Sequence, residues 1–360
     1  MVGLHSSDPA TVFLSTRARV DGFAASDLEV ELYERRSLVR MLGMRRTLFV
    51  VPRPLAAVMD EACTKALAPP ERRRLIRMLE EQGVAPAGKG GPWLDRVEAA
   101  TLSALAERGE ATARELTKHV PALGSKLVFG EGKTWGGAVG LSTRVLFLLA
   151  TDGSIVRGRP LGTWTSGQYR WATTETWLGA PLPELDHDEA CNDLLRRWLR
   201  SFGPATRTDI RWWTGWTARL TDRTLLALGA SEVQLEDGTG FVLPDDLDPT
   251  DEVEPWVALL PSLDPTVMGW KERGWYLGGH ASSLFDRNGN AAPTVWANGR
   301  VVGGWIQRSD GSIAVETLER VDRATRGRIE AERERLEAWL GDVRIRPRFP
   351  TPLERKLSTG

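Results

Sequence analysis

His5 and Ser7, in the run Gly3-Leu4-His5-Ser6-Ser7-Asp8-Pro9, are the residues of this chain whose types and spacing best suit chemistry. In an extended segment, side chains at i and i+2 point the same way, so an imidazole and a hydroxyl there can hold one water between them. A histidine titrating near neutrality can take that water's proton, with the serine orienting the water or the ring. Such general-base help is worth roughly a hundredfold or more in rate. The same two residues can equally act as plain caps of the helix that follows, and both readings stand at the level of sequence.

The helix is predicted over residues 9–19, because Val12, Phe13, Leu14 and Ala18 recur at helical intervals. Asp8 is placed to cap it and Pro9 to open its first turn, which holds His5 and Ser7 on the lip of a helix N-terminus. Such a lip favours an anion or a polarised water. After the turn Asp21-Gly22-Phe23, a second helix begins near Ser26-Asp27 and continues through Leu28, Leu32, Tyr33 and Arg36. It gives way near Met41 to the extended run Thr47-Leu48-Phe49-Val50-Val51, stopped by Pro52. Helix, turn, arginine-rich helix and strand is the order of a winged helix, whose basic helix meets the major groove or the phosphates. Helices rich in Arg72, Arg73, Arg74 and Arg77 come next, then a Gly/Pro-rich joint over residues 83–92. There Lys89 lacks a phosphate-loop pattern and reads as linker.

A weak internal repeat organises the middle of the chain. Gly109-Glu110-Ala111-Thr112-Ala113-Arg114-Glu115-Leu116 and Gly203-Pro204-Ala205-Thr206-Arg207-Thr208-Asp209-Ile210 share the pattern G-x-A-T-x-x-[ED]-[LI]. In each copy an amphipathic helix (93–107; 188–202) ends at the glycine, and the threonine can cap the next helix. The first copy continues with a helix over 135–150 and strands over 154–159 and 168–171. The second continues with a helix over 218–228 and a hairpin of 233–235 with 240–243 around Asp237-Gly238. From Pro255 onward, strands at 256–260, 293–296 and 300–306, with Asn298-Gly299 and Asp310-Gly311 as turns, read as a small antiparallel sheet. A helix over 325–340 laced with Arg/Glu pairs closes the chain. The expected fold is thus α+β: three tandem winged-helix motifs with a small C-terminal antiparallel β-sheet, divided at 1–92, 93–180, 181–254 and 255–360.

Bulk properties narrow the classes. At 360 residues, 41% hydrophobic and 26% charged, the chain has the composition of a soluble globular protein of two or three units. It shows neither a membrane span nor a secretory leader, so a cytoplasmic location without membrane association is expected. Cys63 and Cys191 lie far apart and the four histidines are scattered, so no metal and no cofactor is expected. The net charge of −1 hides a divided sequence: Arg35, Arg36, Arg40, Arg45, Arg46 and Arg53 crowd one segment, while acidic residues crowd 232–254.

Several motifs together resemble the winged-helix DNA glycosylases of the AlkZ and YcaQ type, over nearly the whole chain. They are Gly3-Leu4-His5-Ser6-Ser7-Asp8-Pro9, Leu38-Val39-Arg40-Met41-Leu42-Gly43-Met44-Arg45-Arg46-Thr47-Leu48, Leu260-Pro261-Ser262-Leu263-Asp264-Pro265 and Gly299-Arg300-Val301-Val302-Gly303-Gly304-Trp305. The resemblance implies three winged-helix motifs forming a concave, DNA-sized cleft. It also implies monofunctional hydrolysis of N7-alkylated purines, bulky and crosslinked adducts included, in double-stranded DNA. The catalytic signature of the best-known branch, Gln-x-Gln, falls where this chain has His5-Ser6-Ser7. Family members carry an N-terminal helix ahead of this motif, whereas this chain starts almost at it, which implies a misassigned start codon or a truncated form.

On this resemblance His5 and Ser7 are the expected catalytic residues of a monomeric enzyme. Arg36, Arg40, Arg45, Arg46, Lys271, Arg273 and Arg300 are the expected DNA contacts, and Trp164 and Trp171 the stacking candidates. Trp212, Trp213 and Trp216 read as core, Asp264 as orienting a polar group or capping a turn, and Asp286-Arg287-Asn288-Gly289-Asn290 as a turn rather than a calcium loop. The alternative is a non-catalytic winged-helix DNA binder, a damage sensor or transcriptional regulator. That reading gains if helix 325–340 exposes an apolar stripe and weakens if the helix docks on its own chain.

Overall fold

The computed structural model describes residues 2–130, 136–236 and 238–358. Its chain separates into two compact units, Glu29–Leu194 and Met1–Leu28 with Leu195–Gly360. The four consecutive regions read from the sequence are therefore redistributed. The first helix joins the C-terminal half because Thr11, Ser15 and Arg19 bond to residues 262–266, more than 240 positions away.

In the unit Glu29–Leu194, strands Leu38–Leu42 and Leu48–Pro52 pair antiparallel, Leu38 opposite Pro52 and Leu42 opposite Leu48. The sequence pattern predicts helix through Arg36 and only the second of these strands. The helical stretch ends instead at Glu34, in the π-helical turn Val30–Glu34, and Arg40 masks the apolar run of the first strand. Helices Arg53–Met59 and Ala68–Glu81 follow. Then comes the first repeat copy: helix Gly90–Arg108, a backbone bridge from Ala111 to Trp171, helix Ala113–His119, helix Leu141–Thr151 and hairpin Ile155–Pro160 with Tyr169–Thr173. Thr112 caps its helix and Glu115 returns to the Thr112 backbone, the reciprocal pair that the repeat pattern encodes.

The predicted helix over 135–150 starts only at Leu141; the glycine-rich Gly137–Gly140 is a strand paired with Lys126–Phe129, as its low helix propensity favours. Trp135 lies outside the described residues. Leu79, Leu94, Leu105, Leu116, Leu127, Leu141 and Val145 close this unit's core.

The other unit holds the helix Pro9–Arg17 and the second repeat copy. That copy runs from helix His187–Phe202, within which the boundary at Leu195 falls, through a bridge from Ala205 to Phe241, helices Arg207–Thr214 and Ala218–Ala227, and hairpin Ser231–Leu235 with Gly238–Val242. Thr206 and Asp209 repeat the reciprocal cap. Asp237, assigned to the hairpin turn, lies outside the described residues. A four-stranded antiparallel sheet follows in the order Val257–Leu260, Thr294–Ala297, Arg300–Gln307, Ile313–Thr317. The sequence pattern marks neither the last strand of this sheet nor the closing helix Pro352–Ser358. Gly303 and Gly304 admit that packing: a Cβ would collide with the Glu316 carbonyl at the first and with the Leu353 side chain at the second. A run of rings, Trp213, Trp198, Phe202, Trp270, Tyr276 and Trp296, at successive centroid distances of 5.2–5.8 Å, fills the interior. Trp213 and Trp216 are core, as expected, whereas Trp212 is only half-buried. No described helix is long and apolar enough to cross a membrane.

One buried acid in the unit Glu29–Leu194 carries a measurable consequence. Asp60 is 3% exposed, its Oδ1 has no hydrogen-bond partner, and its carboxyl packs against Gly153. Burial pushes its pKa up to about 7, with Lys65 opposing and Glu61 and Asp152 reinforcing the shift. The folded state therefore holds a proton that the unfolded state has released. Stability contributed by this group is full below about pH 4 and declines as pH rises to about 7. Asp60→Asn is expected to flatten that decline and to exceed the wild type by about 2–4 kcal/mol above pH 7, read from urea unfolding at a series of pH values.

Candidate active site

The segment bearing His5 and Ser7 is held from below. Leu4–His5 is a short strand, Ser6 is 1% exposed, and Asp8 Oδ1 accepts the Ala10 N–H at 3.0 Å as the predicted N-cap. The Ser7 N–H points at His5 Nδ1 at 3.4 Å. In the neutral ring that contact leaves the proton on Nε2, so the structure ties Ser7 to His5 through its backbone as well as by spacing.

The helix Pro9–Arg17 is buried from Pro9 to Ser15, and one polar stripe on it does the docking. Thr11 Oγ1 donates to the Ser262 carbonyl at 2.6 Å, and Ser15 Oγ donates to Asp264 Oδ2 at 2.6 Å. Four residues on, Arg19 closes a fork on both oxygens of the same carboxylate, at 2.9 and 2.7 Å, and reaches Thr266. Asp264 is fully buried, and it also accepts the Thr266 N–H at 2.9 Å. Both readings of Asp264 hold: it orients Ser15 and Arg19, and it caps its own turn through the Thr266 N–H. Arg17 pairs with Glu332 of the helix Arg323–Leu340, fixing the other end.

Beneath the lip lies a cavity of about 30 Å³, lined by Asp8, Thr11, Ser262, Gln307, Arg346 and Glu354 among others, room for a water or two. Burial raises the pKa of both carboxyls. The Arg348 charge tempers the shift at Asp8, while the Asp8 charge adds to it at Glu354. Gln307 fastens the tail over this cavity by accepting the Ile345 N–H at 2.8 Å and donating to the Val343 carbonyl at 3.0 Å. Neither Gln307 nor Glu354 carries a sequence signal. The stripe Thr11, Ser15, Arg19 did: polar residues at four-residue intervals on an apolar helix.

The remaining predicted residues are placed as follows. Arg45 and Arg46 are exposed on the turn between strands Leu38–Leu42 and Leu48–Pro52, both with left-handed backbone, φ 53° and 66°. Arg46 pairs with Glu71 at 3.1 Å and lies over Phe147, beside Arg74 and Arg144. Arg144 stacks on Phe129; burial and the charges of Arg74 and Arg46 lower its pKa. Arg74 and Arg144 join this basic cluster from two helices, which spacing alone does not reveal.

Two expectations need correction. Arg40 is 2% exposed, bonded to the Tyr33 hydroxyl at 2.8 Å and set over Tyr169, so it is an interior cation rather than a surface one. Trp164 is 9% exposed, buried instead of offered for stacking. Trp171 is half-buried beneath Arg157, and Arg36 turns onto Trp177, 4.2 Å from the ring, and its carbonyl. Lys271 and Arg300 are exposed, whereas Arg273 is wedged between Trp212 and Phe285, its pKa lowered by burial. Asp286 closes its own turn by accepting the Asn288 and Asn290 N–H groups. Among the described residues no group of three or more His, Cys, Asp or Glu could hold a metal ion.

The model of one protein family, "DNA glycosylase AlkZ-like", matches residues 1–339. The chain belongs to the AlkZ-like DNA glycosylase family. The match begins at the first residue, so the AlkZ-like region includes the His5-Ser6-Ser7 lip and its docked helix. The solved structure of the Streptomyces sahachiroi DNA glycosylase AlkZ has a similar fold, with a TM-score of 0.71 at 21% identity, covering 93% of this chain and 88% of that one. No curated protein sequence matches the chain.

Two substitutions probe this geometry. Asp264→Ala leaves Arg19 and Ser15 facing an uncompensated cavity and is expected to cost on the order of 3 kcal/mol in urea unfolding, less than a fully buried pair because Arg19 is partly exposed. Arg45→Gly relieves a left-handed backbone and is expected to raise stability by about 1 kcal/mol while weakening DNA binding, read together by thermal unfolding and fluorescence anisotropy.

Proposed function

We propose that this chain is a monofunctional glycosylase that hydrolyses the N-glycosidic bond of N7-alkylated purines, bulky or crosslinked adducts included, in double-stranded DNA, acting as a monomer with His5 and Ser7 at the sugar. The observation that carries the reading is the placement of this pair on a lip whose helix is locked by the carboxylate of Asp264. N7-alkylation makes the base a cationic leaving group, so the enzyme has mainly to position water and stabilise an oxocarbenium-like sugar.

With Ser7 N–H on His5 Nδ1, the neutral ring offers Nε2–H to the water's oxygen, and Ser7 Oγ accepts one of the water's hydrogens. The ring accepts a proton at Nε2 only by exchanging tautomer and giving up the long 3.4 Å contact. Positioning is therefore the first role of His5 and proton acceptance the second. A glutamine side chain, with both a donor and an acceptor, can do the first and not the second.

The two repeat copies, each a boxed helix, a further helix and a hairpin tied back by a bridge at Ala111 or Ala205, support winged-helix motifs as the DNA-binding elements. Arg45, Arg46, Arg74 and Arg144 in one unit, and Lys271 and Arg300 in the other, supply charge for backbone phosphates. No cofactor or metal enters the proposed reaction. The regulator alternative is weakened by the helix Arg323–Leu340. It turns Ile329, Leu336 and Leu340 inward, stacks Trp339 on Phe23 and donates from Trp339 Nε1 to the Phe23 carbonyl at 2.8 Å.

Release of free base from a duplex carrying one N7-alkylguanine tests the reading. Wild type is expected to release it, His5→Ala to lose roughly a hundredfold or more with DNA affinity intact, and His5→Gln to retain most of the rate. Binding without release from small or bulky adducts would refute catalysis on those substrates.

A further inference from the structure

Trp275, in the short helix Gly274–Leu277, is 59% exposed, the most exposed tryptophan among the described residues. Its exposure is not slack, because the residues around it are anchored inward. Trp270 Nε1 donates to the Phe202 carbonyl at 2.9 Å. The N–H groups of Lys271 and Glu272 both donate to Asp209 Oδ1 at 2.8 Å. Arg273 is clamped between two rings, at 5.0 Å from Trp212 and 4.7 Å from Phe285. Tyr276 is fully buried, its hydroxyl on the Val267 carbonyl at 2.8 Å. Trp275 itself meets Trp270 and Tyr276 edge-to-face, at 83° in both cases, and no described ring lies parallel on it.

The surroundings select the partner. Lys271 and Arg300 are exposed nearby; the Arg300 guanidinium lies 3.7 Å from where a Cβ on Gly278 would stand. The local carboxylates are engaged within the surface: Glu272 accepts from Thr206 Oγ1 at 2.6 Å, and Glu319 faces His280 at 3.4 Å and Arg300 at 3.9 Å. A Cβ on Gly274 or Gly279 would meet nothing within 4 Å, so the backbone on either side of the ring is uncovered. A rigid, exposed indole flanked by cations fits a nucleobase taken out of the duplex stack, whose uncovered π-face lies on the ring while the adjacent backbone phosphates meet the charges.

We propose that Trp275 is a stacking platform for a nucleobase of bound DNA, with Lys271 and Arg300 on the adjacent phosphates. The ligand class rests on the DNA glycosylase reading; the platform does not depend on catalysis. Losing one base stack weakens binding about ten- to a hundredfold without touching charge, whereas losing one phosphate contact lowers the salt slope by about one.

Fluorescence anisotropy over a salt series, with undamaged duplex and duplex carrying one abasic analogue, tests it. Trp275→Ala is expected to weaken binding ten- to a hundredfold with the slope of log affinity against log salt unchanged. Trp275→Phe is expected to recover most of that loss, and Lys271→Ala to reduce the slope by about one. Trp275 is exposed, so Trp275→Ala should fold, and thermal unfolding checks that it does. Wild-type affinity in Trp275→Ala overturns the platform, as does self-association of the wild type through this ring, seen as Trp275→Ala shifting the sedimenting species to monomer with DNA binding intact. If wild type releases no base but the Trp275 effect stands, the catalytic reading fails and the platform survives. No DNA binding by wild type overturns both.

Discussion

The carboxylate of Asp264 is the constraint on which the proposed site depends. A buried charge is costly unless every lone pair is answered, and here the answers come from Ser15, both arms of the Arg19 guanidinium and the Thr266 N–H. Those partners lie on one helix and one loop, so satisfying the charge fixes the two against each other. The lip carrying His5 and Ser7 inherits that fixed position through Asp8, whose cap leaves no slack between lip and helix. Pre-organisation of this kind suits a reaction whose leaving group is already labile, since what remains is mostly placement.

Charge is treated differently elsewhere in the chain. Arg40 and Arg273 are arginines folded into aromatic settings, Tyr33 and Tyr169 for one and Trp212 and Phe285 for the other. Arg45 and Arg46 are held outward by a left-handed turn that glycine would occupy more easily. On the proposed function, that strain is the cost of presenting two exposed cations to DNA.

Much of this was legible in the sequence for physical reasons that can be named. The threonine and acid three residues apart in both repeat copies encode a reciprocal cap, and both caps form. Asp8-Pro9 announced a helix start, and Asn298-Gly299 a hairpin. The first strand was hidden because Arg40 interrupts its apolar run, and only the fold brings it to the Tyr33 hydroxyl and over the Tyr169 ring. Trp164 and Trp275 show the converse limit: composition ranks every tryptophan alike, and only packing decides which is swallowed and which is offered. Gln307, Glu354, Arg74 and Arg144 gain their roles from neighbours that no local pattern predicts.

The stripe Thr11, Ser15, Arg19 also makes the first helix a ruler. Thr11 and Ser15 lie one turn apart on the helix, about 6 Å along its axis, with Arg19 just past its end, and each meets a fixed atom in residues 262–266. Inserting or deleting one residue would rotate everything before it by about 100°, swinging His5 and Ser7 away while the rest of the helix stayed docked. The segment can therefore exchange the chemistry of its lip residue by residue, but not its length. Substitutions at positions 5 and 7 leave the docking contacts in place, whereas a change in the count from 8 to 19 breaks them.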